Sequence, residues 1–286
     1  MLIAQITDIH IGFDSGNPDE YNQQRLDMVL ERLAVGPNAP DLMLATGDLT
    51  DQGDTASYVR LRNAFAAYPW PVFPCVGNHD VRTAFTEVFP DFADRSGFIQ
   101  YDRLFADFRL IVIDTLEEGR HGGAFCEVRA AWLKSRLAEH PHLPTYIVMH
   151  HPPFDSGIDW MTTDPSEPWV QRFTEAIADA PQLCGLICGH LHRSMSVQWH
   201  GLTAIVCSST SPQVALDLRP IDTRATDDRA MIIADDPGYA LHHWNGAQMV
   251  SHFDSASQGL VLAQYNHAMI DLVEHLIGER PGVSSA

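Results

Sequence analysis

Five short strings in this 286-residue chain bring carboxylate, imidazole and amide side chains together. They are Thr7-Asp8-Ile9-His10, Gly47-Asp48, Gly77-Asn78-His79-Asp80, His150-His151 and Gly189-His190-Leu191-His192. No cysteine joins them. Oxygen and imidazole donors in this mixture suit borderline-hard ions such as iron, manganese, zinc or cobalt. Calcium would want more oxygens, and a structural zinc would usually bring cysteines and a closed shell. Seven side chains (Asp8, His10, Asp48, Asn78, His150, His190 and His192) suffice for two ions about 3.5–4 Å apart if one carboxylate bridges them. Asp8-x-His10 and His190-x-His192 are i, i+2 pairs, which point the same way when the chain is extended. Gly47, Gly77 and Gly189 each precede a candidate ligand, where a missing Cβ lets the backbone turn sharply.

The neighbours of these ligands suggest further roles. Asn78 offers an oxygen without cancelling the positive charge that would attract an anionic substrate. His79 cannot easily reach the same ion from the next position, so it is expected to face the substrate as the catalytic histidine. Asp80 is placed to hold one ring nitrogen of His79. Asn78, His79 and His151 are the expected substrate contacts, with His151 open to a supporting role instead.

Rigid elements must deliver these strings. Apolar, β-branched-rich runs at residues 2–6, 41–45, 72–76, 110–113, 146–149 and 183–188 predict strands buried on both faces. Helical spacing links Leu26, Val29, Leu30 and Leu33, and again Val128, Trp132, Leu133 and Leu137, and Trp169, Phe173 and Ile177. Asp54 is a plausible cap for a helix through Tyr58, Leu61 and Phe65. The alternation predicts an α/β layered fold, in which five strands deliver Asp, Asn or His just past their C-terminal ends, where open α/β sheets bind ligands. Beyond residue 196 the pattern turns to strand pairs, with Asn245-Gly246 as a hairpin turn. Residues 215–238 read as a loop or lid, and 260–278 as a last helix.

Composition bounds the partners. A formal charge of −19 with Lys134 as the single lysine repels polyanions, which argues against a nucleic acid polymer and an anionic membrane face as partners. No run of about 18 apolar residues predicts a membrane span. The five cysteines contain no C-x-x-C pair, and most lie in apolar strand-like runs, so reduced buried thiols and a cytoplasmic setting are expected. Arg219, Arg224 and Arg229 read as solvated loop charges, Trp160 and Trp169 as packing residues, and His121 as a surface or structural histidine.

In their order, the five strings resemble the motif set of the calcineurin-like metallophosphoesterases. Within that superfamily the chain is similar to the class III cyclic-nucleotide and glycerophospho-diesterases over about residues 1–210. The resemblance implies a four-layer α-β-β-α sandwich. It also implies one ion on Asp8, His10, Asp48 and His192, and another on Asp48, Asn78, His150 and His190, with Asp48 bridging. The protein phosphatases of the superfamily read G-D-x-x-D-R-G and G-N-H-E, unlike the Gly47–Gly53 and Gly77–Asp80 strings here. Purple acid phosphatases place a tyrosine where this chain has Asp51.

Two carboxylates against at least four positive charges leave a surplus that attracts a phosphodiester monoanion. The same surplus makes hydroxide available to attack phosphorus in line. Hydrolysis of a small diester, a 3',5'-cyclic nucleotide or a glycerophosphodiester, is therefore the expected activity. A phosphomonoesterase and a non-catalytic scaffold of the same fold are the rivals, and retention of the whole ligand set speaks against the scaffold. Residues 1–214 are expected to form the catalytic domain. Residues 215–286 are expected to form an extension that covers the site mouth and contributes to a homo-oligomer, because Trp244, Met249, Val250, Phe253 and Leu260–Leu262 look like apolar surplus.

Overall fold

The structure, a computed structural model, describes residues 1–281. Its first compact unit spans residues 1–256 and its second begins at Ser257. The first unit opens with strand β1 (Leu2–Ile6), helix α1 (Tyr21–Val35), β2 (Leu42–Thr46), α2 (Thr55–Ala66), β3 (Val72–Cys75) and α3 (Arg82–Val88). Then come β4 (Tyr101–Leu104), β5 (Arg109–Val112), α4 (Glu127–Glu139), β6 (Thr145–Val148), α5 (Pro168–Ile177) and β7 (Leu183–Cys188). Six strands close the unit: β8 (Met195–Trp199), β9 (Leu202–Val206), β10 (Gln213–Val214), β11 (Ile232–Ile233), β12 (Gly238–Trp244) and β13 (Met249–Ser255).

Two sheets result. One has the order β13-β12-β1-β2-β3, and the other β4-β5-β6-β7-β9-β8. Strand alternation sorts their residues between two faces. Ile3, Leu42 and Leu44 of the first sheet meet Leu110, Val112, Tyr146, Val148 and Ile187 of the second in a core between the sheets. The opposite face of the first sheet, with Ala4, Ile6, Met43 and Ala45, packs on Leu26, Val29 and Leu30 of α1 and Tyr58, Leu61 and Phe65 of α2. The opposite face of the second, with Ile111, Ile147 and Leu186, packs on Leu133 and Leu137 of α4 and Val170 and Phe173 of α5. Every central strand is therefore buried on both sides, which is why its sequence is a continuous apolar run. The layers are α-β-β-α. Asp54 caps α2 as expected, accepting from the Ser57 amide at 2.9 Å.

Late in the chain the elements depart from the expected division. β12 pairs antiparallel with β1 and β13 with β12, so residues 238–255 supply the last two strands of the first sheet, with β13 at its edge. Trp244 and Met249, which looked like surplus, belong to the inter-sheet core, whereas Val250 and Phe253 stay exposed. Residues 215–237 are largely irregular. Each arginine there is held by an aspartate two residues earlier: Arg219 by Asp217, Arg224 by Asp222 and Arg229 by Asp227. In the second unit, the helix expected over 260–278 is shorter. Asn266 caps a turn at His267–Met269 by accepting from the Ala268 amide at 3.0 Å, and helix α6 covers Ile270–Gly278. An Asx cap of this kind sets a helix start that apolar content alone does not reveal.

Candidate metal centre

The C-terminal ends of β1, β2, β3, β6 and β7 carry the seven candidate ligands. Within a residue or two of its strand, the chain turns sharply. Among the described residues, seven non-glycine residues have positive φ. Five of these are Asp8 (51°), His10 (53°), Asp48 (46°), His190 (73°) and His192 (51°). Such a conformation costs an L-residue energy and persists only where its surroundings enforce it. Here the enforcement is visible: the Asp8 amide donates to the Gly47 carbonyl at 3.0 Å, and the His10 amide to the Asp48 carbonyl at 3.0 Å. The i, i+2 pairs thus share one site through left-handed turns rather than through the extended backbone expected from their spacing.

The glycines admit the close approach. A Cβ on Gly77 would lie 2.3 Å from Asp48 Oδ1 and 2.6 Å from His150 Nε2, and one on Gly47 would lie 2.3 Å from His150 Nδ1. In the space so cleared, one donor atom each from Asp8, His10, Asp48 and His192 lies within 4.8 Å of the others. His150 Nε2 is 3.3 Å from Asp48 Oδ2 and 3.9 Å from Asp8 Oδ1. His10 Nε2 is 3.7 Å from Asp48 Oδ2, which therefore has an imidazole on either side.

Whether these residues fit metal ions can be tested on their hydrogen bonds. Three imidazoles have Nδ1 committed to an oxygen: His10 to Asp51 Oδ1 (3.2 Å), His150 to the Thr46 carbonyl (2.8 Å) and His192 to the Pro212 carbonyl (2.9 Å). Partners of this kind fix ring orientation in metal sites and leave Nε2 for the ion. Asn78 Oδ1, His150 Nε2 and His190 Nδ1 are buried and have no hydrogen-bond partner. Orphaned buried polar atoms are rare and costly, and all three here belong to candidate ligands. Burial, helped by neighbouring imidazoles, holds His190 well below the usual histidine range, and burial pushes His192 down to about 4. Both rings are thus neutral, the form that binds a metal.

A family model described as calcineurin-like phosphoesterase matches residues 1–194. The chain belongs to this family. A probable glycerophosphodiester phosphodiesterase of Arcobacter nitrofigilis is 28% identical over 87% of this chain and 90% of its own length. A probable cyclic nucleotide phosphodiesterase of Rhodopseudomonas palustris is 36% identical over 68% of this chain and 72% of its own. The 3',5'-cyclic AMP phosphodiesterase of Escherichia coli K12 is 26% identical over 74% of this chain and 76% of its own. Among solved structures, a dimetal phosphatase from Danio rerio shares the fold, with a TM-score of 0.63 at 14% identity over 91% of this chain and 98% of that one. The relatives are phosphodiesterases, and the calcineurin-like fold with its His/Asp cluster points to a dinuclear metal site.

In this phosphoesterase the expected role of Asp80 needs correction, and of the two roles left open for His151 the hydrogen bonds favour the supporting one. Asp80 does not hold His79. Its carboxylate is buried and accepts from the amides of Gly77 (2.8 Å), Leu49 (3.2 Å) and Thr50 (3.3 Å) and from the Tyr58 hydroxyl (2.8 Å). Those donors, left over where β2 and β3 end, draw the carboxylate inward and tie the two ligand loops together. His79 is instead oriented through Nδ1, which donates to the Asp51 carbonyl at 3.0 Å, while its own amide donates to Asp48 Oδ1 at 2.8 Å. His151 is buried with both ring nitrogens engaged, Nδ1 with Thr115 Oγ1 (2.8 Å) and Nε2 with the His121 carbonyl (3.2 Å). It supports the loop at residues 114–123 and does not line the cavity over the centre.

That cavity, of about 800 Å³, is floored by His10, Asp51, His79 and His192. Asp51 and His121 also line it, and sequence reading gave neither a role. The signal for Asp51 was its place three residues after Asp48, on a stretch that an isolated bridge between Ile11 and Thr50 brings beside β1. His121 has its ring 4.8 Å from that of His190, from a loop with no periodic pattern to announce it. Trp160 packs on the core of the second sheet and also faces the cavity, whereas Trp169 is a buried packing residue, as expected.

Proposed function

We propose that this phosphoesterase is a dinuclear metal phosphodiesterase that hydrolyses small diesters of the kinds its relatives are named for. Asp8, His10, Asp48 and His192 would hold one ion, and Asp48, Asn78, His150 and His190 the other, with Asp48 shared. The three partnerless ligand atoms, Asn78 Oδ1, His150 Nε2 and His190 Nδ1, carry this reading, because each can offer a lone pair to a cation. Bound there, two borderline-hard ions such as iron, manganese, zinc or cobalt would spread the charge that builds on the phosphoryl oxygens and acidify a water.

The chain's own residues do the rest. With its Nδ1 spent on the Asp51 carbonyl, His79 has Nε2 left for the substrate, at the ring edge that donates to a leaving oxygen once the imidazole is protonated. Asp51, which also holds His10, links the orientation of a ligand to that of the catalytic ring. No helix of the described residues is long and apolar enough to cross a membrane, and buried thiols at Cys75, Cys188 and Cys207 suit a cytoplasmic enzyme. The exposed side chains of Leu260, Val261, Leu262, Tyr265, Leu272 and Leu276 in the second unit support a homo-oligomer. Metal content measured alongside turnover of bis(p-nitrophenyl) phosphate and of p-nitrophenyl phosphate tests the activity. A metal-free chain, or a preference for the monoester, would overturn it.

A further inference from the structure

The start of α1 carries three buried polar side chains, Glu20, Asn22 and Arg25, and each reaches backbone beside the ligands of the first ion, Asp8, His10 and His192. Asn22 Nδ2 donates to the His10 carbonyl at 3.0 Å. Glu20 accepts from the amides of Gly12 (2.7 Å) and Asp14 (2.9 Å), so the chain leaving His10 is tied to the same helix end. Arg25 reaches further. Its Nε donates to the Thr210 carbonyl at 2.6 Å, and its Nη2 to the carbonyls of Ser211 (3.2 Å) and Asp235 (2.6 Å). A guanidinium is buried only at a cost, and here main-chain oxygens take up its hydrogens. The turn so held bears directly on two ligands. The amides of Thr210 and Ser211 donate to the carbonyls of Thr7 (3.1 Å) and Asp8 (3.3 Å), and the Pro212 carbonyl takes His192 Nδ1 at 2.9 Å. Asp8, His10 and His192 all have left-handed backbone, which persists only where its surroundings enforce it. Anchors of the second ion's ligands lie elsewhere. His150 Nδ1 rests on the Thr46 carbonyl, and the Gly77 amide, just ahead of Asn78, rests on Asp80.

We propose that Asn22 and Arg25 are positioning residues for the first ion, setting how tightly Asp8, His10 and His192 hold it and leaving the second ion to its own anchors. The inference rests on the dinuclear reading above and adds to it the control of one ion by a helix that supplies no ligand. Asn22 and Arg25 are three residues apart and so share one face of α1. From that face one side chain fixes the His10 peptide, and the other fixes the turn that orients His192 and braces Asp8. Lysine cannot replace Arg25, because an ammonium on a flexible stem is a point charge and does not present the planar fork that spans several carbonyls. Losing a group that orients a metal ligand typically costs about 10- to 100-fold in metal affinity.

The test challenges the manganese-loaded chain with graded EDTA and counts the ions kept per chain. It is run on wild type, Asn22→Leu and Arg25→Lys, each with and without Asn78→Ala. Asn78→Ala weakens the second ion and so marks the first as the tight one. Adding Arg25→Lys or Asn22→Leu to it is expected to lower the EDTA concentration for half-release of that ion about tenfold or more. In the chains that keep Asn78, one release step should move by this factor and the other should stay in place. A remaining ion held as tightly as in Asn78→Ala alone would overturn the proposal. Two release steps that move together would overturn it too, since that is what a merely structural role in seating α1 produces. Should Arg25→Lys not fold, Asn22→Leu, which removes a single bond, gives the deciding reading. A wild type that keeps fewer than two ions would bring down the dinuclear reading and this proposal with it.

Discussion

Replacing His79 by alanine separates the roles that its surroundings assign to it. Two bonds hold this residue: the backbone amide donates to Asp48 Oδ1, and ring Nδ1 donates to the Asp51 carbonyl. Alanine keeps the first and loses the second, so the candidate bridging carboxylate keeps its hydrogen bond and both ions are expected to stay bound. What is lost is the ring at the leaving oxygen. A general acid contributes about 10²–10⁴-fold where the leaving group needs a proton, or ~3–5 kcal/mol of barrier. An alkoxide such as a ribose hydroxyl needs it, and p-nitrophenolate does not. His79→Ala is therefore expected to lower kcat by that factor on cyclic AMP and by less than about tenfold on bis(p-nitrophenyl) phosphate. Asp80→Asn provides the contrast. Its carboxylate serves Gly77, Leu49, Thr50 and Tyr58 and not His79, so this variant should lose thermal stability and slow both substrates alike. The assay is kcat on both substrates in both variants, with metal content measured on the same samples. A leaving-group-selective fall in Asp80→Asn, or an equal fall on both substrates in fully loaded His79→Ala, would refute the reasoning.

Asn78→Ala removes a ligand from only one ion, so a metal titration should show one tight site and one weakened; equal weakening of both would break the allocation of ligands. A second expectation concerns His242, buried with Nε2 on Gln5 Oε1 (3.1 Å) and Nδ1 on Ser251 Oγ (2.8 Å). Burial, reinforced by nearby His252, pushes this imidazole down to about 4. The unfolded chain, with an ordinary value near 6.5, takes up the proton first as pH falls, so stability is full above about pH 6.5 and is lost towards pH 4. Between pH 7.5 and 5.0 the wild type should lose about 2 kcal/mol more than His242→Gln in urea unfolding, and equal losses would exclude the effect. Light scattering at micromolar concentration should return a multiple of the 31.8 kDa chain mass; a single-chain mass would remove the oligomer.

The sandwich was legible because its central strands are buried on both faces and alternate with amphipathic helices, so apolar runs at residues 2–6 and 183–188 could hardly be anything else. The ligands were legible because each follows such a run. The roles of Asp80 and His151 were not, since adjacency in sequence says nothing about which unpaired amides compete for a side chain. Asp80 went to the donors at two strand ends, and His151 to Thr115 and the His121 carbonyl. Nor could spacing show that β12 joins β1. Antiparallel partners 240 residues apart leave no periodic trace, so Trp244 looked like surface surplus when it fills the space between the sheets.

The left-handed backbone at Asp8, His10, Asp48, His190 and His192 bears on how a fold like this can change over generations. A side chain in that conformation costs about 1–3 kcal/mol. Glycine at any one of these positions would abolish a donor atom and release that cost, less the 0.4–1 kcal/mol or so that glycine's freer unfolded chain takes back. Loss of a candidate ligand and relief of backbone strain would then arrive in the same codon. Against that gain stand the bonds lost with the side chain, such as those that Asp8 accepts from the His190 amide and Asp48 from the His79 amide, so the backbone term alone pulls towards glycine.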